Sequence, residues 1–182
     1  MLSYVGSRDL GLVALIQDYN AWGSPSWETE LQANDISYEV LPISSLVGLN
    51  YGAYDMIITA SDGQVDSRIY DAYSDIQSYV DGGGIAAISL CGQGHTGDFG
   101  GLVTTQDYPT WNSVADIDHP LMAGVANPFP GGSASHTSFT SVPDGYSILA
   151  TSDNTGNFIT GMTEGVKGFM GGFGKLYQKE RI

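Results

Sequence analysis

The 182-residue chain contains one cysteine, Cys91. A lone thiol excludes an internal disulfide framework and fits either redox compartment. Basic residues are almost as scarce: six Lys and Arg stand against twenty Asp and Glu, for a net charge of −14. Between residues 1 and 166 the bases are Arg8 and Arg68; Lys167, Lys175, Lys179 and Arg181 crowd the last sixteen positions. A surface of that sign repels phosphate backbones and anionic headgroups, so no nucleic-acid partner is expected. No apolar run approaches the ~20 residues that span a bilayer, which argues against membrane insertion. The opening "MLSYVGSRDLGLVALIQDYN" lacks a basic leader and a small-residue cleavage site, and does not read as a signal peptide. Lysine and glutamate are few beside Asp, Gly, Ser and Thr, a composition that points to an extracellular or cell-surface protein.

Metal and cofactor signatures are missing too. His95, His119 and His136 have no H-E-x-x-H spacing, which argues against zinc. Asp116 and Asp118, or Asp153 with Asn154 and Asn157, could offer oxygen to Ca²⁺, but the D-x-[DN]-x-[DN]-G loop is absent. Gly92-Gln93-Gly94 does not extend to G-x-G-x-x-G before a helix, so no dinucleotide is implied. The expectation is no metal and no cofactor.

What is present is a core-forming chain, 42% hydrophobic, with no linker and no internal repeat, read as a single domain over 1–182. "GLVALIQD" (11–18) is a continuous apolar run, as in a strand buried on both faces. Ser24 then stands as N-cap and Pro25 as first residue of a helix carrying Trp27 and Leu31 on one face. "ISYEVL" (36–41) and "YDMIITA" (54–60) read as the second and third strands. Ile69, Ala72, Tyr73, Ile76 and Val80 recur at helical spacing over 66–80, and Gly82-Gly83-Gly84 stops that helix. "IAAISL" (85–90) is the fourth strand. This alternation predicts an α/β fold, a flavodoxin-like, mostly parallel sheet of order 2-1-3-4 with helices on both faces. Further strands are expected at 146–151, at 157–162 and within 166–178, the last two closing as a β-hairpin.

In an open parallel sheet, ligands bind beyond the carboxyl ends of the strands, where the strand order reverses. Order 2-1-3-4 brings three polar ends to one crevice: Asp18, Tyr19 and Asn20 after the first strand, Ser61 and Asp62 after the third, and Ser89, Cys91, Gly92 and Gln93 at the fourth. These are the candidate ligand-binding and catalytic positions. Trp22, Trp27, Trp111 and Tyr108 lie at loop positions where an aromatic platform for a sugar could form.

The segment "YVDGGGIAAISLCGQGH" resembles the approach to the nucleophile in class I glutamine amidotransferase-like domains. "DIDHPLMAGV" resembles the HP-x-x-x-G stretch of the trehalose-utilisation type, and "NFITGM…GGFGK" resembles their closing hairpin. The resemblance covers roughly residues 11–176. It implies the flavodoxin-like fold, a nucleophile at Cys91 on a strand-to-helix elbow, and a partner histidine sought at His136, or at His95 four residues away. The family's G-x-C-x-G pattern is altered: Ser89 and Gln93 stand where glycines are expected, and a shifted alignment would place Ser89 on the elbow. The family's H-x-E pattern is also unmet, since Ser138 follows His136 by two and Leu121 follows His119 by two. "GQGHTGDFGG" is too rich in glycine for the helix that would lower a thiol pKa. The expectation is a catalytically degenerate domain that binds a small molecule or carbohydrate. The alternatives are a cysteine or serine hydrolase acting on an amide or ester, and a structural subunit of an extracellular assembly that self-associates or joins further domains of a parent protein.

Overall fold

A computed structural model describes residues 10–60, 67–90, 97–131, 137–144, 146–163 and 169–171. Cys91, Gly92, Gln93, His95, His136, Ser61 and Asp62 lie outside the described residues.

Strands β1 (Leu12–Ile16), β2 (Ser37–Leu41), β3 (Met56–Thr59) and β4 (Ile85–Ile88) form a parallel sheet in the order β2-β1-β3-β4. The three inner strands are short, branched or small-residue apolar runs, and nearly every side chain in them is buried. Their alternation divides the core. Ala14, Ile16, Ile57, Ala86 and Ile88 face one layer, while Val13, Leu15, Met56, Ile58 and Ala87 face the other. β2 lies at the sheet edge, and its residues are exposed or half-buried.

Helices cover both faces, as the alternation of elements predicts. Helix α1 (Ser26–Ala33) brings Leu31 and Trp27 to the second layer. It starts one residue later than expected: Ser24 is extended, as residues before proline tend to be, and Pro25 occupies the cap position with no side-chain cap. Helices α2 (Ser67–Asp71) and α3 (Tyr73–Asp81) bring Ile69, Ala72, Ile76 and Val80 to the first layer. The single helix expected over 66–80 is interrupted at Ala72 (φ −84, ψ 3), although Ala72 N–H still reaches Arg68 O and Ile76 N–H reaches Ala72 O.

The glycine stop is a Schellman turn. Gly83 takes φ +109 and donates to Val80 O, and Gly84 N–H returns to Tyr79 O.

Beyond β4 the sheet continues into an antiparallel region. β12 (Phe169–Gly171) pairs in parallel with β4 and antiparallel with β11 (Phe158–Thr163), giving the closing strand pair. The sheet then runs through β10 (Tyr146–Ser152), β7 (Trp111–Val114) and β8 (Phe129–Pro130). β9 (Thr137–Ser141) joins β11 to β6 (Leu102–Gln106), which forms a hairpin with β5 (Asp98–Phe99). That hairpin turns on Gly100 and Gly101, both at positive φ, the two-residue loop that suits the twist of paired strands. Among the described residues, no helix is long and apolar enough to cross a membrane.

Candidate functional site

Ile16 pairs with Thr59, and Thr59 with Ile88, so the tails of β1, β3 and β4 emerge side by side where the strand order reverses. Main-chain bonds continue one residue past the strands: Gln17 N–H reaches Leu41 O, and Ala60 N–H reaches Ile16 O.

Among the expected ligand-binding residues, Asp18 is spent on the framework. One carboxylate oxygen accepts Ile43 N–H at 3.0 Å, and the other lies 3.3 Å from an Arg68 guanidinium nitrogen. Both side chains of that pair are more than a third exposed, so its worth is about 0–1 kcal/mol. Asn20 accepts from the Gln17 amide at 3.1 Å, and the same amide donates to Glu28 at 2.9 Å. Tyr19 projects from this mouth, 62% exposed.

Ser89 is 4% exposed, and its amide donates to Thr59 Oγ1 at 2.9 Å. That bond ties the ends of β3 and β4 together just before Cys91. Leu90 is buried beside it. The Gly97 amide donates to Thr104 Oγ1 at 2.9 Å, and its carbonyl accepts Thr104 N–H at 2.8 Å.

Glu28, Thr59 and Arg68 also belong to the mouth, beyond the residues expected there. Arg68 carries a signal in the sequence, as one of two bases in the first 166 residues. The others carry none, because the contacts that recruit them cross between elements.

The loop candidates sort differently. His119 Nδ1 accepts Leu121 N–H and caps the turn Pro120–Met122, the rigid-loop role that the following proline implies. Asp116 accepts Asp118 N–H, and Asp98 accepts Gly101 N–H within its hairpin. Trp111 and Tyr108 are 45% and 52% exposed on the antiparallel side, while Trp27 packs into the core.

Three crystal structures share this architecture. A protein from Thermoplasma acidophilum, assigned to GMP synthase as one of its subunits, aligns over 91% of this chain and 83% of its own, at a TM-score of 0.58 and 11% identity. A ThuA-like protein from Bacteroides uniformis aligns over 90% and 82%, at 0.54 and 12%. A glutamine amidotransferase from Thermotoga maritima aligns over 88% and 74%, at 0.56 and 10%. The chain has the class I glutamine amidotransferase-like fold. This is the flavodoxin-like arrangement expected from the sequence, with parallel order 2-1-3-4 and a closing antiparallel pair. No family model matches the sequence. In sequence the chain is similar to an uncharacterized protein of Clostridium acetobutylicum, 28% identical over 150 residues, which are 76% of this chain but 15% of that protein.

Proposed function

We propose that this amidotransferase-like domain is a ligand-binding or accessory module that takes a small polar molecule or carbohydrate at the mouth of β1, β3 and β4, without the family's acyl-transfer chemistry. One observation carries this reading. Only residues 91–96 separate buried Leu90 from Gly97, which is already bonded to Thr104, and a strand begins at Asp98. Gly92, Gly94 and Gly97 follow Cys91 within six residues, and each glycine inside a helix costs about 0.5–1 kcal/mol relative to alanine. That composition disfavours the helix N-terminus whose amides would stabilise a thiolate at Cys91. The burial of Ser89 supports the same view, since a nucleophile must be reachable by substrate.

The binding role is supported by a mouth that is pre-built rather than open. Asp18 is bonded to Ile43 and Arg68, Gln17 to Asn20 and Glu28, and Tyr19 is exposed at the rim as an aromatic surface. The acidic, lysine-poor composition supports a setting outside the cell.

The test is thiol reactivity. Native protein at pH 7 should react with a maleimide or iodoacetamide probe no faster than free cysteine, with its full rate reached only on denaturation. Rapid native labelling, together with amidase or esterase activity that Cys91→Ala removes, would establish the hydrolase instead.

A further inference from the structure

A cleft of about 760 Å³ opens at the other end of the sheet, at the amino ends of β3 and β4. It is lined by Tyr51, Tyr54 and Tyr79, by Asp55 and Asp75, and by the glycine turn 82–84. Its chemistry is one-sided. The Tyr51 hydroxyl donates to Leu46 O at 2.9 Å, Tyr79 to Tyr54 O at 3.0 Å, and Tyr54 to Glu39 at 2.8 Å. The fourth hydroxyl on the wall, that of Ser78, donates to Ser74 O at 2.8 Å. Every side-chain hydroxyl donor on the described wall is therefore committed within the protein.

The carboxylate acceptors are only partly committed. Asp55 uses one oxygen, Oδ2, on Gly11 and Leu12 N–H. Asp75 is exposed, and close enough that its charge helps push the Tyr51 hydroxyl up to about 12, after burial, the larger cause. None of the described lining residues is basic. The Tyr51 and Tyr79 rings pack against each other, tilted, with centroids 5.7 Å apart at 42°. Tethered hydroxyls fix these rings, so that they offer hydrocarbon and π surface.

We infer that this cleft binds an alkylammonium group, its charge between Asp75 and Asp55 and its carbon chain along the tyrosine-lined wall. An ammonium brings the donors that the wall lacks and gains from both carboxylate and ring quadrupole. A neutral polyol finds spent hydroxyls, and an anion meets two carboxylates. The net charge of −14 further concentrates cations at the surface.

The test is a titration of the whole chain, carrying ring-¹³C tyrosine, with n-butylammonium chloride at pH 7 and constant ionic strength. Saturable shifts confined to the Tyr51, Tyr54 and Tyr79 signals are expected. n-Pentanol, the neutral analogue, and butyrate should produce none. Asp75→Asn, at an exposed position that folding tolerates, should weaken binding about three- to five-fold. Tyr51→Leu should weaken it as well. Non-saturating shifts, an equal response to pentanol, or an affinity unchanged in Asp75→Asn would overturn the proposal.

Discussion

Asp107 shows how far a single residue's state can depend on partners distant in the chain. It is 2% exposed and accepts Thr155 Oγ1 at 2.6 Å and Asn154 Nδ2 at 2.9 Å. Burial pushes its pKa up, but hydrogen bonds from Thr155, Asn154, Ser152 and Ser138 together outweigh that and hold it below the ordinary value. A depressed folded pKa gives stability that is present above the unfolded value of about 3.9 and is lost as pH falls through the folded value. Asp107→Asn should therefore be less stable by about 1–3 kcal/mol at pH 7. The gap should shrink steadily below about pH 4. Urea unfolding of both proteins at pH 7, 4 and 2.5 checks this, and a gap independent of pH would refute it. In sequence, Asp153, Asn154 and Asn157 resemble loose cation ligands. In the fold, Asp153 takes the Ser113 hydroxyl, Asn154 serves Asp107 and Asn157 serves Ser138. Those partners lie 40, 47 and 19 positions away, beyond the reach of any local pattern.

At the scale of the element, the three glycines after α3 have different duties. Gly82 sits at φ −73, a conformation open to any residue. Gly83 needs φ +109. A Cβ on Gly84 would stand 2.1 Å from Tyr79 Cζ, inside the ring that walls the lower cleft. Gly83→Ala should cost about 1–2 kcal/mol for the left-handed backbone. Gly84→Ala should cost about 1–3 kcal/mol for overpacking. Gly82→Ala should be the mildest of the three. Chemical denaturation ranks them, and a Gly82→Ala variant as damaged as the others would refute this division. The triplet's function as a helix stop is legible in the sequence because that signal is local. The hairpin at Gly100-Gly101 is equally local, a two-residue glycine loop between Phe99 and Leu102, yet the glycine-rich run around it hides the signal. The small-polar strands β6, β7 and β9 carry little apolar alternation, and long-range pairing creates them rather than intrinsic preference.

For the whole molecule, charge is the dominant global property. Twenty acids against six bases repel one another across the surface, and the one ion pair among the described residues, Asp18–Arg68, is exposed. Raising NaCl from about 10 mM to about 0.5 M shortens the screening length from roughly 30 Å to a few ångström. That should raise the melting temperature by about a few degrees, measured by circular dichroism. A fall in melting temperature would mean that attractive pairs outweigh repulsion. The same field favours cations at the second cleft and, among the described residues, disfavours anions away from Arg68.

The sequence by itself determined the parallel half of the fold. Unbroken apolar runs at 12–16, 56–59 and 85–88 can be satisfied only by burial on both faces, and the helical periodicity between them supplies the cover. It also determined the sign of the surface, since charge is additive and needs no geometry. Tertiary structure alone decided the rest: that Asp18 and Asn20 are held by Ile43, Arg68 and Gln17, and that the tyrosines at 51, 54 and 79 converge on a second cleft. Those outcomes depend on strand order and register, which set distances between residues far apart in the chain.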